Sequence, residues 1–420
     1  MTRNSSELST LAPENWPFSI EFLPPPAYMV GGAVRDAILG KTREYLDLDF
    51  VLPTNAVTVA HKIAKYYKAG FVLLDPQRQI ARVVFPHATA DFAQQEGMSL
   101  EVDLHRRDFT INAIAYNPHT QEIIDPLQGC ADIKKHLLKM VSPSNLQDDP
   151  LRLLRAYRQA SQLSFTIESE TQATIRAFAS QITRVAAERV RVELSYMLPS
   201  SQGSAWLISA GEDGLLTPFF KNAQQENFQK LSTVDTAADQ LTHFWPRLGE
   251  ELQNFVRDTV KTTWLGIAKL ACLVNPNSEI AEVELQELTY SRAEIKAVTT
   301  TLKLFPQLRN PLMSLREQYF FFQEVGSVFI STAVLSVVHG QSVEAIAPLM
   351  NRYLNPNDLV AHPTPLVSGK DIMLALNISP SPLIGKLLTE IAIAQIENKL
   401  TTPQQAIELA AKLVASDESF

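Results

Sequence analysis

The stretch that decides the fold runs from residue 28 to residue 36 and reads Tyr-Met-Val-Gly-Gly-Ala-Val-Arg-Asp. A short apolar run leads into the turn Gly31-Gly32, where the pattern predicts that a helix carrying Arg35 begins. Glycine lets the backbone come close to a phosphate, and the N–H groups at a helix start attract anions. The pattern therefore predicts a strand, a tight turn and a helix start that suit a phosphate group, with Arg35 adding positive charge.

The next informative stretch is Asp47-Leu48-Asp49. Side chains alternate between faces in a strand, so Asp47 and Asp49 are expected on the same face. Two adjacent carboxylates repel each other unless a cation lies between them, and Mg²⁺ is commonly bound by carboxylates together with substrate phosphates. Such a pair occurs by chance about once in a chain of this composition. Together with the glycine turn, it indicates the start of a two-metal phosphoryl-transfer site.

Outward from these motifs, the first 125 or so residues alternate between short β-branched runs and helical stretches, whereas residues from Asp132 onward are mostly helical in pattern. We predict strands at Asp49–Leu52, Phe71–Leu74, Ala81–Phe85 and Ala90–Phe92, a helix at Val57–Lys68, and a hairpin formed by Ile114–Tyr116 and Glu122–Ile124. Breaks are predicted at 199–203 and 355–365, and the last helical unit should end near residue 415. The fold class is an α+β N-terminal part followed by an all-α remainder.

A second cluster lies at residues 101–113, which read Glu-Val-Asp-Leu-His-Arg-Arg-Asp-Phe-Thr-Ile-Asn-Ala. Arg106 and Arg107 precede an apolar helix, where a buried charge needs a partner. That partner is either a triphosphate or Asp108. Asp108 has a second possible role as the cap of the same helix, and Asn112 adds an amide nearby.

A third cluster lies at residues 148–158, where an acidic cap and Pro150 predict a helix start. Asp149 and Arg152 are three residues apart and share a helical face, so they form either an ion pair worth a few tenths of a kcal/mol or a surface for a base. A carboxylate accepts from an exocyclic amino group while a guanidinium donates to ring nitrogens and carbonyls, which suits C or A and not G or U. Arg155 and Arg158 continue the stripe.

The charge balance first argues against a nucleic-acid partner. The 420 residues include 37 Lys+Arg and 45 Asp+Glu, a net charge of −8. However, residues 101–200 contain 12 basic and 12 acidic residues, and the arginines cluster near the motifs. We therefore expect a local basic track rather than a globally basic surface.

The sequence also argues against disulfide-rich, zinc-binding, secreted and membrane-spanning proteins. Two cysteines, Cys130 and Cys272, are too few for a disulfide framework or a zinc site. Residues 1–15 are polar and lack the apolar core of a signal peptide, and no uncharged apolar run reaches membrane-spanning length. We expect a cytoplasmic protein with no membrane partner, and the oligomeric state stays open.

Taken in order, these motifs resemble the class II tRNA nucleotidyltransferase and bacterial poly(A) polymerase family. The resemblance covers roughly residues 28–195 and includes Asp125-Pro126-Leu127-Gln128-Gly129 with Asp132-Ile133, and the run at 188–194, Glu-Arg-Val-Arg-Val-Glu-Leu. Residues 366–372 and 385–388 also resemble the family's C-terminal segment, whereas residues 200–355 match nothing in it.

The resemblance implies a polymerase-β-like mixed sheet in a nucleotidyltransferase head, followed by all-α parts. The implied domains are a head at 1–135, a neck with a nucleotide-selecting helix at 136–200, a body at 201–355, and a tRNA-binding tail at 356–420. Glu188, Arg189 and Arg191 fall in a motif thought to shape the neck.

The resemblance also implies site residues. Asp47 and Asp49 would bind Mg²⁺, with Asp91 as a third catalytic carboxylate and Asp103 as the alternative to it. The implied nucleotide-binding residues are Gly31, Gly32, Arg35, Arg106, Arg107, Asp108, Asn112, Asp149, Arg152, Arg155 and Arg158. Among these, Asp149 and Arg152 would form the amino-acid template that selects CTP or ATP.

The implied reaction is addition of the 3′-terminal CCA, or of its CC part alone, to tRNA with release of pyrophosphate. Only Gln94 to Leu100 separates the Asp91 strand from the next motif, and a shortened segment resembles the family's CC-adding enzymes. The rival interpretations are a poly(A) polymerase that uses ATP alone, a non-catalytic RNA-binding relative, and a glycosyltransferase suggested by the aspartate pair alone. The lack of a His-Asp phosphohydrolase motif argues against an appended hydrolase domain.

Overall fold

A seven-stranded mixed sheet organises the N-terminal part of the chain in this computed structural model, which describes residues 10–41, 44–221, 225–258, 260–309 and 313–415. The strands are β1 Tyr28–Val30, β2 Leu46–Leu52, β3 Gly70–Asp75, β4 Ile80–Phe85, β5 Ala88–Gln94, β6 Ala115–Asn117 and β7 Glu122–Ile124. Their order is β3-β4-β5-β2-β1-β6-β7, with β2 and β5 parallel and the other neighbours antiparallel. The predicted strands and the β6–β7 hairpin are confirmed, and β2 begins early enough to include both aspartates.

Eight helices accompany the sheet among the described residues up to 197. They are α1 Gly32–Ile38, α2 Ala56–Tyr67, α3 Leu100–His105, α4 Gly129–Lys134, α5 Pro143–Asp148, α6 Leu151–Leu163, α7 Ser169–Phe178 and α8 Ala187–Met197. The predicted helix at 57–68 is α2, which buries Val59, Ala60 and Ile63. A two-stranded pair, β8 Leu137–Leu138 with β9 Thr166–Ile167, interrupts the helical run.

One local prediction was wrong. The segment after Arg107 forms a 3-10 turn, Thr110–Asn112, rather than a helix, because Thr110 N–H donates to Lys139 C=O and Phe109 bridges to Met140. The helix start predicted at Asp148-Asp149-Pro150 is confirmed: α6 begins at Leu151, whose N–H donates to Asp149 Oδ1 at 3.3 Å, and Asp148 ends the preceding helix, α5.

Each face of the sheet packs against its own apolar cluster. On one face, Phe18, Phe50, Phe85 and Phe92 form a buried aromatic cluster, in which the rings of Phe50 and Phe92 are stacked with centroids 5.4 Å apart. On the other face, Val51 lies in a second core cluster, so the carboxyl-bearing side of β2 becomes apolar beyond Asp49. Burial on both sides fixes the register of β2.

The chain divides into two compact units, the first of residues 1–197 with 209–218, and the second of residues 198–208 with 219–420. Helix α9, Ser201–Glu212, contributes residues to both units. The described helices of the second unit are α10 Gln225–Phe244, α11 Arg247–Gln253, α12 Trp264–Leu273, α13 Ser278–Glu287, α14 Arg292–Leu304, α15 Leu315–Val325, α16 Phe329–Val338, α17 Val343–Leu354, α18 Gly369–Leu376, α19 Pro382–Ile396 and α20 Pro403–Ala415.

The predicted breaks fall between helices in this part of the chain. Helix α8 ends before Pro199, and α17 ends at Leu354, before the proline-containing segment. Helix α18 then begins with a capping box in which Ser368 and Asp371 satisfy each other's backbone N–H groups. The C-terminal helices share their own apolar cluster, centred on Ile372, Leu387 and Ala406.

One helical stretch, Leu315–Val338, is long and apolar enough to cross a membrane by length and composition alone. However, 61% of its most apolar window is buried inside the chain. Gly326, with φ +48°, ends α15 within it. A helical stretch that is buried to this extent is typical of the core of a folded unit. The prediction that residues 1–15 carry no signal sequence concerns a segment whose first nine residues lie outside the described residues.

Candidate active site

Asp47 and Asp49 project from one face of β2, as predicted. In the parallel pair of β2 with β5, Asp47 lies opposite Thr89, and Asp49 lies opposite Asp91. Thr89 Oγ1 donates a hydrogen bond of 2.7 Å to Asp47 Oδ1. The alternate residues Leu48 and Phe50 are buried on the opposite face, so the strand's hydrophobic pattern orients the carboxylates.

The third predicted carboxylate, Asp91, is close to Asp49 but is already paired. Arg82 on the neighbouring strand donates from Nε and Nη2 to its two oxygens at 2.7 and 2.8 Å. This hydrogen bond raises the pKa of Arg82 above its ordinary value. The alternative, Asp103, instead accepts from Glu96 N–H at 2.9 Å and from Arg107 at 3.3 Å, while Ser99 caps α3.

The carboxylates of Asp47, Asp49 and Asp91 repel one another. Burial, followed by the negative charges of Asp47 and Asp91, raises the pKa of Asp49 to about 7, although Arg107 and Arg82 oppose the shift. A divalent cation between Asp47 and Asp49 would offset this repulsion. Among the described residues, no group of three His, Cys, Asp or Glu side chains is arranged to hold a metal ion. The two β2 carboxylates would suit an ion that also takes phosphate and water ligands.

A cavity of about 590 Å³ opens in front of these carboxylates. Its lining includes Asp47 and Asp49 together with the predicted residues Gly31, Gly32, Arg35, Arg107, Asp108, Asn112, Arg155 and Arg158. Gly31 has φ +73°, and a Cβ there would lie 3.4 Å from both Asp49 Oδ2 and Arg107 Nη1. The glycine thus provides the backbone conformation of the turn and lets opposite charges approach it from two sides.

The two adjacent arginines have different surroundings. Arg107 lines the cavity, and its Nε is buried with no hydrogen-bond partner among the described residues. Arg106 lies outside the cavity lining, with a side chain 58% exposed and paired with Glu96 at 2.8 Å. Of the pair, Arg107 is the one whose unused donor suits an anionic ligand.

Behind the cavity, buried side chains form a continuous hydrogen-bonded network. Arg35 donates through Nη1 to Asn112 at 2.7 Å and through Nε to Asp36 at 2.9 Å. Asn112 donates to Asp108 at 2.9 Å, and Asp108 accepts from Arg155 Nε and Nη2 at 3.0 and 2.9 Å. Arg35 is therefore held by protein side chains, and Asp108 pairs with an arginine instead of capping a helix.

Two members of this network, Asp36 and Gln159, were not among the predicted site residues. Gln159 lies on α6. It is 2% exposed, accepts from Asn112 at 2.8 Å and donates to Asp108 at 3.3 Å. Because Gln159 follows Arg155 by four residues on α6, helical spacing was the signal that could have identified it.

Asp149 and Arg152 do not pair with each other in the part of the chain that the structure describes, and neither lines the cavity. Both oxygens of Asp149 accept from Arg189, at 3.2 and 2.9 Å. Arg152 Nη1 donates to the backbone carbonyls of Arg106 and Asn145, at 2.9 and 3.0 Å. The ion-pair interpretation of their spacing was wrong, because each side chain has a partner from elsewhere in the chain.

Further along α6, Arg158 donates to Glu193 on α8 and lies over the Tyr196 ring. Arg155 and Arg158 both line the cavity, which confirms that they share a face of α6. These contacts place two arginines one turn apart beside the carboxylates of β2.

A strand with paired carboxylates, a Gly-Gly turn and an arginine-lined cavity define a nucleotidyl-transfer site. Three family models match the chain: "Poly A polymerase head domain" at residues 27–139, "Probable RNA and SrmB- binding site of polymerase A" at 164–226, and "tRNA nucleotidyltransferase domain 2 putative" at 258–411. The chain belongs to the tRNA nucleotidyltransferase and poly(A) polymerase family, and is a nucleotidyltransferase.

Similar proteins cover nearly its whole length. The chain is 49% identical over 408 residues to a CC-adding tRNA nucleotidyltransferase of Synechocystis, covering 94% of this chain and 96% of the relative. It is 29% identical over 421 residues to an A-adding tRNA nucleotidyltransferase of Deinococcus radiodurans, covering 91% and 94%. The structure of a Thermotoga maritima CCA-adding enzyme complexed with tRNA has the same fold, with a TM-score of 0.70, 20% identity, and coverage of 99% and 100%.

Proposed function

We propose that this enzyme adds the two cytidines of the 3′-terminal CCA to tRNA, using CTP and releasing pyrophosphate, and leaves the terminal adenosine to another enzyme. Identity of 49% to a CC-adding relative, along nearly the full length of both chains, supports this subtype. The A-adding relative is less similar, at 29%.

The structural observation that carries the proposal is the short connection between β5 and α3, residues 95–99. Gln95 N–H donates to Leu52 C=O at 2.8 Å, Glu96 N–H donates to Asp103 at 2.9 Å, and the Glu96 carboxylate pairs with Arg106 at 2.8 Å. The first two residues of the connection are thus fastened to β2 and to the end of α3. This connection offers no long segment that could rearrange to complete a second, adenosine-specific site.

Enzymes of this family use divalent metal ions, and we propose Mg²⁺ held by Asp47 and Asp49, with Asp91 assisting. When bound, such an ion lowers the pKa of the RNA 3′-hydroxyl and neutralises charge on the triphosphate. The chain's own part is to orient the acceptors: Thr89 fixes Asp47, and Arg82 fixes Asp91 beside Asp49. Arg107, with its unused Nε, would bind the triphosphate.

For the nucleotide, we propose that Asp149 and Arg152, which lie outside the cavity lining, read the base. We propose that Arg106 and the predicted nucleotide-binding residues that line the cavity contact the same nucleotide. We propose that the division into head, neck, body and tail at residues 135, 200 and 355 organises the chain, with tRNA contacts extending into the tail. A cytoplasmic location belongs to the same proposal.

The test uses a tRNA that lacks its three 3′-terminal nucleotides, incubated with the full-length enzyme and Mg²⁺ in the presence of CTP, ATP or both. We expect addition to stop after two cytidines even when ATP is present. Completion of CCA would overturn the CC-adding subtype, and a long adenosine tail would show a poly(A) polymerase. A tRNA that already ends in CC, supplied with ATP alone, is the matched control and should not be extended.

A further inference from the structure

The carboxylate of Asp149 is held in place from another helix. Arg189 on α8 donates from Nη1 and Nη2 to the two oxygens of Asp149, which lies at the end of α5. A bidentate pair fixes the plane of a carboxylate as well as its position. The Asp149 side chain is 32% exposed and that of Arg189 is 52% exposed. Without Arg189, Asp149 would keep one long hydrogen bond, from the Leu151 N–H to Oδ1 at 3.3 Å, which does not fix the plane of the carboxylate.

The pair leaves Asp149 able to bind a ligand. A carboxylate has about four lone-pair sites. Arg189 uses one on each oxygen and the Leu151 N–H uses the second on Oδ1, so Oδ2 keeps one for a ligand. Arg152 is fixed separately, by the carbonyls of Arg106 and Asn145. It lies one helical turn before Arg155, which lines the cavity. Each side chain of the base-reading pair therefore has its own support, and Arg189 is the residue that holds both oxygens of Asp149.

We propose that Arg189 is a positioning residue for nucleotide choice, acting by fixing the orientation of the Asp149 carboxylate. This rests on the proposed function, in which Asp149 accepts a hydrogen bond from the exocyclic amino group of the base. Cytosine has that amino group where uracil has a carbonyl oxygen. A fixed carboxylate binds the first and repels the second, whereas a carboxylate that can turn toward water loses this discrimination.

The experiment compares the ratio of kcat/KM for CTP to kcat/KM for UTP, measured on a tRNA that lacks its 3′-terminal CCA. The enzymes are the wild type, Arg189→Gln, Arg189→Lys, Asp149→Asn and the double variant Asp149→Asn/Arg189→Gln. Lysine keeps the charge but cannot make the bidentate pair. Arg184→Gln removes an exposed arginine near the start of α8 whose side chain donates to Gln181, and serves as the charge-matched control.

We expect Arg189→Gln and Arg189→Lys to lower the CTP-to-UTP ratio about fivefold or more. tRNA affinity and the unfolding temperature should stay close to those of Arg184→Gln. In the Asp149→Asn background, the second substitution should lower the ratio no further, because the two residues act through one carboxylate.

Several outcomes would overturn the proposal. One is an unchanged or higher CTP-to-UTP ratio in Arg189→Gln, and another is a wild-type ratio in Arg189→Lys. A third is a double variant whose ratio falls below that of Asp149→Asn by the full factor seen for Arg189→Gln alone. An unchanged ratio in Asp149→Asn would overturn the base-reading role of Asp149 itself. A lowered ratio in Asp149→Asn beside an unchanged one in Arg189→Gln would leave that role standing and remove only the contribution of Arg189.

Discussion

At the scale of single residues, the aspartates of β2 differ from every other acidic group of the sheet in facing the cavity without a cationic partner on the neighbouring strand. Asp91 is paired with Arg82, whereas Asp47 accepts a hydrogen bond from the neutral hydroxyl of Thr89. Their charge is therefore available to a cation, and their substitution should affect catalysis more than folding.

We predict that Asp47→Asn and Asp49→Asn each lower CTP incorporation by about 10³-fold or more, because each removes half of the acidic pair. Fold and tRNA binding should persist, which circular dichroism and a filter-binding assay would check. Asp75→Asn is the matched control, since Asp75 lies at the end of another strand and accepts turn N–H groups from Gln77 and Arg78. Incorporation within a few-fold of wild type in Asp49→Asn would contradict the metal assignment.

The buried carboxylate of Asp108 predicts an acid-sensitive contribution to stability. Burial acts to raise its pKa, but the charge of Arg155 and hydrogen bonds from Asn112, Arg155 and Phe109 N–H outweigh burial and hold that pKa well below the ordinary value. The unfolded chain therefore binds this proton at higher pH than the folded chain does. The stabilisation is present above about pH 4 and is lost as the pH falls further.

Asp108→Asn should accordingly reduce the free energy of unfolding at pH 7 by about 2–3 kcal/mol, less than for a fully buried pair because Arg155 is partly exposed. The difference between variant and wild type should shrink as the pH falls below about 4. Urea unfolding at pH 7, 5 and 3.5 measures both values. A difference that is constant over this range would show that the Asp108 charge is not what stabilises the network.

How much the sequence could predict at this scale depends on how local each interaction is. The shared face of Asp47 and Asp49 follows from strand alternation alone, and the stripe of Arg155 and Arg158 follows from helical spacing. The partner of Asp149 could not be predicted, because Arg189 is 40 residues away and meets it only when α8 packs.

At the scale of secondary-structure elements, the contact between α4 and the 3-10 turn Thr110–Asn112 is set by one glycine. A Cβ built at Gly129 would lie 2.2 Å from the carbonyl oxygen of Thr110 and 2.8 Å from Ile114 Cγ1. The turn carries Asn112, which belongs to the network behind the cavity. Any displacement of the turn is therefore transmitted to Asp108 and Arg35.

We predict that Gly129→Ala lowers the free energy of unfolding by about 1–3 kcal/mol and raises the KM for CTP, since the added methyl forces the turn to move. Urea unfolding and steady-state kinetics measure the two effects. Gly385→Ala is the control, because nothing lies within 4 Å of a Cβ there in the first turn of α19. It should raise stability by up to about 1 kcal/mol. Equal behaviour of the two variants would contradict the close-packing argument.

The helices and strands of the N-terminal part were largely predictable from the sequence, and the turn at Thr110 is the exception. Strands β3, β4 and β5 and helix α2 follow hydrophobic periodicity and lie within a residue or two of their predicted bounds. The turn at Thr110 was predicted as a helix because its apolar residues fit helical spacing. In the structure the Thr110 N–H donates to the Lys139 carbonyl, and the Val141 N–H donates to the Asp108 carbonyl. Long-range backbone pairing of this kind leaves no local signal.

At the scale of the whole molecule, the net charge of −8 is a poor guide to the partner. Arginines at 107, 155 and 158 line one cavity together with the aspartates at 47, 49 and 108, so both signs of charge are concentrated at this site. The overall composition therefore suggested the wrong class of ligand, and only the arrangement of the arginines corrected it.

We predict that tRNA binding is strongly salt-dependent despite the acidic net charge, because local cations displace counterions from the RNA phosphates. The Kd for tRNA should rise by about 10²-fold between 50 and 200 mM KCl at constant Mg²⁺. The KM for CTP, measured at saturating tRNA, is the control and should rise much less. A rise in Kd of less than threefold would show that few phosphates are contacted.

Every residue that lines the cavity falls within the first compact unit, at positions between 10 and 196. Substitutions that change the choice of nucleotide can therefore accumulate there while the packing of the second unit is conserved. CC-adding and A-adding relatives of similar length and related sequence fit this arrangement. In evolutionary terms, divergence of specificity after gene duplication would need changes in only one of the two units.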